Sequence, residues 1–145
     1  MTIEELETDD VVMRRLLDDS ARLGATDPEA ARGLVCAARL LARARCNDSV
    51  EGEALYQLAL FAHRSGEAEQ AFAFASEAVA LVAPHGPSVT LAWSHHVLGV
   101  VHYLAGNHAT ALDHGERSLA IYRATDHVVK TVKHVALQNG ATPVY

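Results

Sequence analysis

The sequence predicts an all-α fold of stacked helical hairpins, and three observations point to it. The composition is that of a helical protein, since 50% of the 145 residues are hydrophobic, alanine is abundant, and Pro and Gly number only 4 and 9. Apolar residues recur at helical spacing in segments that end at turn-forming residues. The pattern around Leu58-Ala59 returns 40 residues later at Leu98-Gly99, which indicates repeated supersecondary units.

The first predicted hairpin joins helices over Asp9–Leu23 and Pro28–Cys46. Gly24 ends the first helix, because glycine adopts at little cost the left-handed conformation that closes a helix. Asp27 is a favourable N-cap for the second helix, and proline is favoured at the first helical position. The small and apolar residues of this hairpin follow the repeat with a slip of one or two residues, so we expect a degraded first repeat.

The second predicted hairpin joins Val50–Arg64 to Glu67–Val82. Ser65-Gly66 separates the two helices in a tight turn, and Pro84 ends the second helix because proline cannot continue it. So short a connection makes the two helices antiparallel neighbours.

The third predicted hairpin has the same organisation. Its helices are Ser88–Leu104 and His108–Arg123, with a turn at Gly106-Asn107. We expect the second of these helices to end near Thr125-Asp126, where polar residues interrupt the apolar pattern.

A seventh helix, His127–Gln138, is expected to cap the stack. Val128 and Val132 lie on one side of it, while Lys130 and His134 lie on the other. A polar outer face is what the end of a helical-repeat array requires. We expect one domain over residues 1–145, with repeats at about 10–46, 50–83 and 88–124, a capping helix at 126–138 and a tail at 139–145.

Small residues occupy matching positions in the two clearer repeats. Ala59 and Gly99 lie on the first helices, and Ala71 and Ala111 lie on the second helices. Small side chains let two helices approach to the short end of the ~8–10 Å range of helix packing. We therefore expect Gly99 to contact Ala111. The side chains expected to fill the space around these contacts are Leu58, Leu98, Phe72 and Leu112.

This pattern resembles the tetratricopeptide repeat, whose spacing is W-x2-L-G-x2-Y followed by A-x3-F. The third hairpin reads His95-x2-Leu98-Gly99-x2-His102, then Ala111-x3-Gly115. The period is longer than the ~34 residues typical of the family, as in the light-chain-type and bacterial regulatory variants. The resemblance implies a right-handed α–α superhelix of three hairpins and a capping helix.

Charge and motifs argue against several classes of function. A net charge of −6 at pH 7 does not suit a general binder of nucleic acid or anionic membranes. No apolar stretch reaches the ~18 residues needed to span a bilayer, and the acidic N-terminus does not resemble a targeting signal. No GxSxG, P-loop or GxGxxG motif is present. We therefore expect a cytoplasmic protein that is not an enzyme and uses no cofactor.

The cysteines predict two thiols. Cys36 and Cys46 are ten residues apart in one predicted helix, which separates them by roughly 15 Å and is too far for a disulfide. We expect Cys36 to be a small core residue.

Five histidines in the third repeat raise the alternative of a metal site. His95 and His102 stand where the family has aromatic residues, and they are seven positions apart rather than the four common for chelation from one helix. We expect them to be packed, hydrogen-bonded rings and expect no metal. The five histidines are His95, His96, His102, His108 and His114.

The candidate partner-binding surface is the concave face, which the resemblance assigns to the first helix of each hairpin. Trp, Tyr and Arg on such a face are the residue types enriched in binding hot spots. The alternative is that the aromatic residues among them only pack against the next repeat. The candidate residues are Val11, Arg14, Asp18, Glu53, Tyr56, Leu60, His63, Arg64, Trp93, His96, Val100 and Tyr103.

The resemblance implies a scaffold that binds a protein or peptide partner in this groove, without nucleic acid or membrane. Arg14, Arg22 and Arg64 could pair with an acidic peptide. Arg32 and Arg39 form a stripe with Arg43 that we expect to be solvated, although it could dock an acidic neighbour.

Two further alternatives stay open, besides a possible homo-oligomer. One is a sensory input module of a bacterial signalling protein, of the cyclic-dinucleotide enzyme or transcription-regulator type. The other is a small helical metalloenzyme, which the histidine content alone suggests.

Overall fold

The computed structural model describes the backbone of residues 3–138 and the side chains of residues 9–126. Over this range the chain is helical and contains no strand, which confirms the predicted all-α class. None of its helices is long and apolar enough to cross a membrane. The elements are α1 Ile3–Leu23, α2 Pro28–Ala44, α3 Asp48–Arg64, α4 Ala68–Val82, a 3₁₀ turn Ala83–His85, α5 Val89–Leu104 and α6 His108–Gln138.

Side-chain caps fix where the helices begin. The carboxylate of Asp27 accepts a hydrogen bond from the backbone N–H of Ala30 at 3.1 Å, as predicted for an N-cap. The side chain of Asn47 caps α3 in the same way, so this helix begins at Asp48 rather than at Val50. Each of these bonds satisfies one of the backbone N–H groups that a helix leaves unpaired at its start.

A left-handed residue ends three of the helices. Gly66 and Gly106 have φ values of 75° and 86°, which glycine adopts without steric penalty. Cys46 takes the equivalent place after α2 with φ 53°, and so lies outside the helix in which it was predicted. Both Cys46 and Cys36 are exposed free thiols, so the expected core role of Cys36 was wrong.

The last helix is continuous where two helices were predicted. α6 runs for 31 residues through Thr125 and Asp126, neither of which is a helix breaker. The hydroxyl of Thr125 donates to the carbonyl of Ile121 at 3.0 Å, which satisfies its polar atom within the helix. The separate capping helix was therefore wrong, while the side chains of 127–138 and the tail at 139–145 lie outside the described residues.

The helices stack in chain order as a helical-repeat solenoid. Each helix packs against the next one, and α1 also contacts α3 as α3 contacts α5. The first helices α1, α3 and α5 therefore line one face of the stack. Two core clusters join successive repeats. The first contains Leu17, Val35, Ala38, Ala54 and Leu58, and the second contains Ala59, Ala75, Val97 and Leu98.

The small-residue contact that the repeat predicted is present. A Cβ placed on Gly99 would lie 3.3 Å from the carbonyl oxygen of Ala111. In the first hairpin, Ser20 donates to the carbonyl of Ala31 at 3.0 Å across a spacing of 11 residues. Ser20 therefore makes in the first repeat the close helix contact that Gly99 makes in the third. It lies one position later in its repeat than Gly99 does.

Two of the four side chains expected around this contact were placed wrongly. Leu58 and Leu98 are buried, as predicted. Phe72 is 44% exposed, because it projects from α4 toward His102 of the following repeat, and Leu112 is 64% exposed at the rim of a depression between α5 and α6.

The arginine stripe on α2 connects two repeats. Arg32 lies 3.5 Å from Glu67, and Arg39 lies 3.3 Å from Glu77 and 5.7 Å from the ring centre of Phe74. The expectation of a solvated stripe was therefore wrong for Arg32 and Arg39, which bind α4, while Arg43 is exposed.

Candidate functional site

The N-terminal part of the first-helix face is charged. Arg14 of α1 donates to Glu53 of α3 at 2.6 Å, and this hydrogen bond raises the pKa of the Arg14 guanidinium. Arg22 is likewise paired with Asp19. Two of the three arginines considered for an acidic peptide thus already have carboxylate partners within the chain. The α1 residues of this part line a shallow depression of about 540 Å³ and are Asp10, Val11, Arg14, Arg15, Asp18 and Arg22.

The middle of the face is partly covered by the next repeat. The rings of Tyr56 on α3 and Trp93 on α5 lie 5.5 Å apart with their planes tilted by 50°. Leu60 packs with Tyr56 against the second core cluster, so both are only half-exposed. Burial raises the pKa of the Tyr56 hydroxyl, with a smaller opposing influence from Arg64. His63 is half-buried and Arg64 is exposed.

The third repeat holds the open part of the candidate surface. Two adjoining depressions of about 530 and 450 Å³ lie between α5 and α6 and share His96 and Gly115; we call them together the α5–α6 groove. Four predicted residues line its α5 wall and are Trp93, His96, Val100 and Tyr103. Trp93 is 43% exposed, so part of its side chain packs against the protein and part faces solvent.

The second wall of the groove belongs to α6 and was not predicted. Its exposed apolar side chains follow helical spacing, and Gly115 leaves a gap among them. The signal was present in the sequence, since these positions are 40 residues after positions of α4 that pack against the next helix. The residues of this wall that the prediction omitted include Leu112, Gly115, Leu119 and Tyr122.

Three of the histidines form a packed cluster, which we call the His cluster. The Nδ1 atoms of His95 and His114 are 3.0 Å apart, so the N–H of one ring donates a hydrogen bond to the other ring. His102 stacks on His114 with ring centres 5.5 Å apart, and the ring of Phe72 meets His102 edge-on. Burial, and next the nearby histidine, lower the pKa of His95 and of His114. Both influences favour the neutral form of these two rings.

Comparison with known families identifies the fold. The tetratricopeptide-repeat family model matches residues 51–124, just over half of the chain. The chain belongs to the tetratricopeptide-repeat family. The match spans the second and third hairpins, in which the small-residue pattern is clearest. No curated protein and no solved structure matches the chain.

Membership defines the general function of this tetratricopeptide-repeat protein. Such repeats are protein-interaction scaffolds and are typically non-catalytic. His95 and His102 occupy two positions at which the family pattern has aromatic residues, and the His cluster shows that their rings pack in the same role.

The other histidines of the third repeat lie apart from the His cluster. His96 and His108 line the α5–α6 groove. Among the side chains of residues 9–126, no group of three or more His, Cys, Asp and Glu residues is arranged to hold a metal ion. The clustered rings stack on one another instead of converging on a point.

A polar cavity of about 560 Å³ lies at the loop end of this tetratricopeptide array. It is bordered by the turns before α3 and before α5 and by the N-terminal half of α1. An ion pair and a hydrogen bond lie at its walls, with Asp9 2.5 Å from Arg45 and Asp48 2.9 Å from the His85 ring. Asp9 and Asp48 thus already have basic partners within the chain.

Proposed function

We propose that this tetratricopeptide-repeat protein is a non-catalytic scaffold that binds a protein or peptide partner on its first-helix face. One observation carries the proposal: Trp93, the one tryptophan of the chain, is held against Tyr56 yet remains 43% exposed in an open concavity. An anchored aromatic ring at the edge of a concavity is the arrangement typical of binding hot spots.

The rigidity of the site favours binding. Tyr56 and Trp93 come from different repeats and orient each other, so little side-chain freedom remains to be lost when a partner binds. The charged residues of α1 lie farther along the same face, where the Arg14–Glu53 pair is accessible. Charges at the edge of a binding surface orient a partner and increase its rate of association more than they increase affinity.

A regulatory input module is the second candidate function. The observation that favours it is that the Tyr56–Trp93 contact bridges α3 and α5, so a ligand that displaces Trp93 acts directly on the packing between repeats. Ligand binding would then shift the population of two arrangements of the stack. The net charge of −6 supports a protein partner rather than nucleic acid.

The test is selection of binding peptides from a randomised display library on the immobilised wild-type protein. We expect Trp93→Ala to weaken the selected peptides by at least roughly 30-fold, the effect of losing a hot spot of about 2 kcal/mol. Leu40→Ala is the matched control, because Leu40 is 68% exposed on α2, outside the first-helix face. Peptides that bind wild type and Trp93→Ala equally well, with both proteins folded, would contradict the proposal.

A further inference from the structure

The second helix of each hairpin has a face directed toward the following repeat. On α2 this face carries Arg32 and Arg39, which bind α4. Forty residues later on α4 it carries Val79, which packs against the core cluster of α5, and Phe72, whose ring meets His102. Another 40 residues on, the same two positions of α6 are Leu112 and Leu119, which are 64% and 49% exposed.

In both earlier repeats, this face is covered by the first helix of the following repeat. α3 packs against the first hairpin through Ala54 and Leu58, and α5 packs against the second hairpin through Val97 and Leu98. Each occupant is a first helix that contacts both helices of the hairpin before it. Its apolar residues recur at positions i, i+4 and i+8, as in Val50, Ala54 and Leu58 or in Trp93, Val97 and Val101.

In the third repeat, the place that a covering helix occupies in the earlier repeats is open at the bottom of the α5–α6 groove. Gly115 is the counterpart of Val35 and Ala75, both of which are completely buried beneath the next helix. Gly115 is exposed, and a Cβ added to it would meet nothing within 4 Å. The groove is therefore lined by the position that a covering helix buries in both earlier repeats, and no helix covers it in the described part of the chain.

The opposite end of the stack has the polar surface that a free end needs. The face of α1 opposite its core residues carries Arg15, Asp18 and Arg22, all exposed. Seating α1 of a second copy on Leu112 and Leu119 would desolvate these charges, including the Arg22–Asp19 ion pair, against an apolar surface. Charge thus disfavours head-to-tail self-association and favours a partner with an apolar helix face.

We propose that the α5–α6 groove binds an amphipathic α-helix of a partner protein, seated as the first helix of a further repeat would be. This inference rests on the proposed scaffold function and specifies the conformation of the bound segment. The recognised helix presents apolar side chains at i, i+4 and i+8, with a bulky residue over the gap at Gly115. Proteins that bind a helix in an apolar groove contact anchor side chains at this kind of spacing.

The probe is a library of 18-residue helical peptides based on residues 88–105 of this chain, because α5 fills the equivalent groove of the second repeat. The positions equivalent to Trp93, Val97 and Val101 are varied among apolar residues. A matched library carries the same residues in the alternating order of an extended strand. Binding is measured by fluorescence anisotropy. We expect saturable 1:1 binding from the helical library and none from the alternating one.

Gly115→Leu is the decisive variant. Its side chain has room in the free protein, so we expect an unchanged or higher melting temperature together with binding at least roughly tenfold weaker. Gly33→Leu is the matched control, since Gly33 is an exposed helical glycine on α2 with nothing within 4 Å of its added Cβ. It should leave peptide affinity unchanged.

The remaining outcomes separate this inference from the proposed function. If Trp93→Ala abolishes binding of peptides from the randomised library while Gly115→Leu does not, the scaffold function stands and the helix-in-groove inference fails. Preference for the alternating library also overturns the inference. A wild-type dimer that becomes monomeric in Gly115→Leu, measured by sedimentation, would assign the groove to a second copy and overturn it as well.

Discussion

At the residue scale, the glycines inside the helices differ in how much space surrounds them. At Gly99 the backbone of α6 approaches so closely that a larger side chain has no space. At Gly33 and Gly115 the added atom meets nothing within 4 Å. The difference is set by which element faces each glycine, since the intrinsic helix propensity is the same at all three positions.

Gly99→Leu should destabilise the third hairpin. The added side chain must displace the Ala111 carbonyl or His114, and overpacking of this kind costs about 1–3 kcal/mol. We expect a melting temperature several degrees below that of wild type, measured by circular dichroism. Gly33→Leu should melt at or above the wild-type temperature. Equal melting of Gly99→Leu and Gly33→Leu would contradict the assigned contact.

The His cluster should make stability depend on pH. Burial and the neighbouring ring lower the pKa of His95 and His114 in the folded protein, so the unfolded chain binds more protons below about pH 6.5. Asp113 opposes this shift and Arg117 adds to it. Stability should therefore be complete above pH 6.5 and fall as the pH decreases through the histidine range.

Denaturant unfolding at pH 7.5 and 5.5 measures this loss. His114→Gln removes one ring of the bonded pair, so its loss of unfolding free energy between the two pH values should be smaller than that of wild type. His108→Gln is the control, because His108 lies outside the cluster in the α5–α6 groove. An equal loss in His114→Gln and wild type would show that the cluster does not cause the pH dependence.

At the element scale, close contacts at helix ends add to the two core clusters that join successive repeats. Gly52, near the start of α3, lies against Val82 at the end of α4 and Thr90 at the start of α5. The side chains of Arg32 and Arg39 join α2 to α4 nearer the surface. Such partly exposed ion pairs contribute little, about 0–1 kcal/mol each, so burial at the helix ends dominates.

Gly52→Ala should be destabilising although alanine is the better helix former. The added Cβ would collide with the side chain of Val82, which is buried and stiff because of its β-branching. We expect a loss of about 1–3 kcal/mol against a gain of at most about 1 kcal/mol from helix propensity. Gly33→Ala is the control in the same urea titration, because it has the gain in helix propensity without the collision. A more stable Gly52→Ala would indicate that α3 does not lie so close to α4.

At the scale of the whole molecule, the two ends of the described stack differ. The outer face of α1 is charged, whereas α6 exposes the apolar wall of the α5–α6 groove. A helical-repeat array needs a polar surface at each free end to stay soluble. An apolar end therefore points to a surface that another helix covers.

Removing charge from α1 should convert this difference into self-association. Arg15→Leu combined with Arg22→Leu removes two of the three charges from the outer face of α1 and leaves Asp18, so that this face can enter the groove of another copy more readily. We expect concentration-dependent head-to-tail oligomers in sedimentation experiments, since such contacts do not close. Adding Gly115→Leu should restore the monomer. Oligomers that persist in the triple variant would place the contact elsewhere.

The sequence determined the all-α class, the turns and the close contact of Gly99 with Ala111, because these features follow from local spacing and from residues with special backbone freedom. It also placed Trp93, His96, Val100 and Tyr103 on one face, and the structure brings these four together. The period of 40 residues can be found in the sequence itself, so the repeat architecture was predictable.

Only the tertiary structure decided which of the repeated positions are covered. Arg32, Phe72 and Leu112 are equivalent in the repeat, yet Arg32 binds α4, Phe72 meets His102 and Leu112 stays exposed. Their environments are set by elements tens of residues away, and local periodicity carries no information about those elements. The His cluster was decided in the same way, since it depends on packing between α4, α5 and α6.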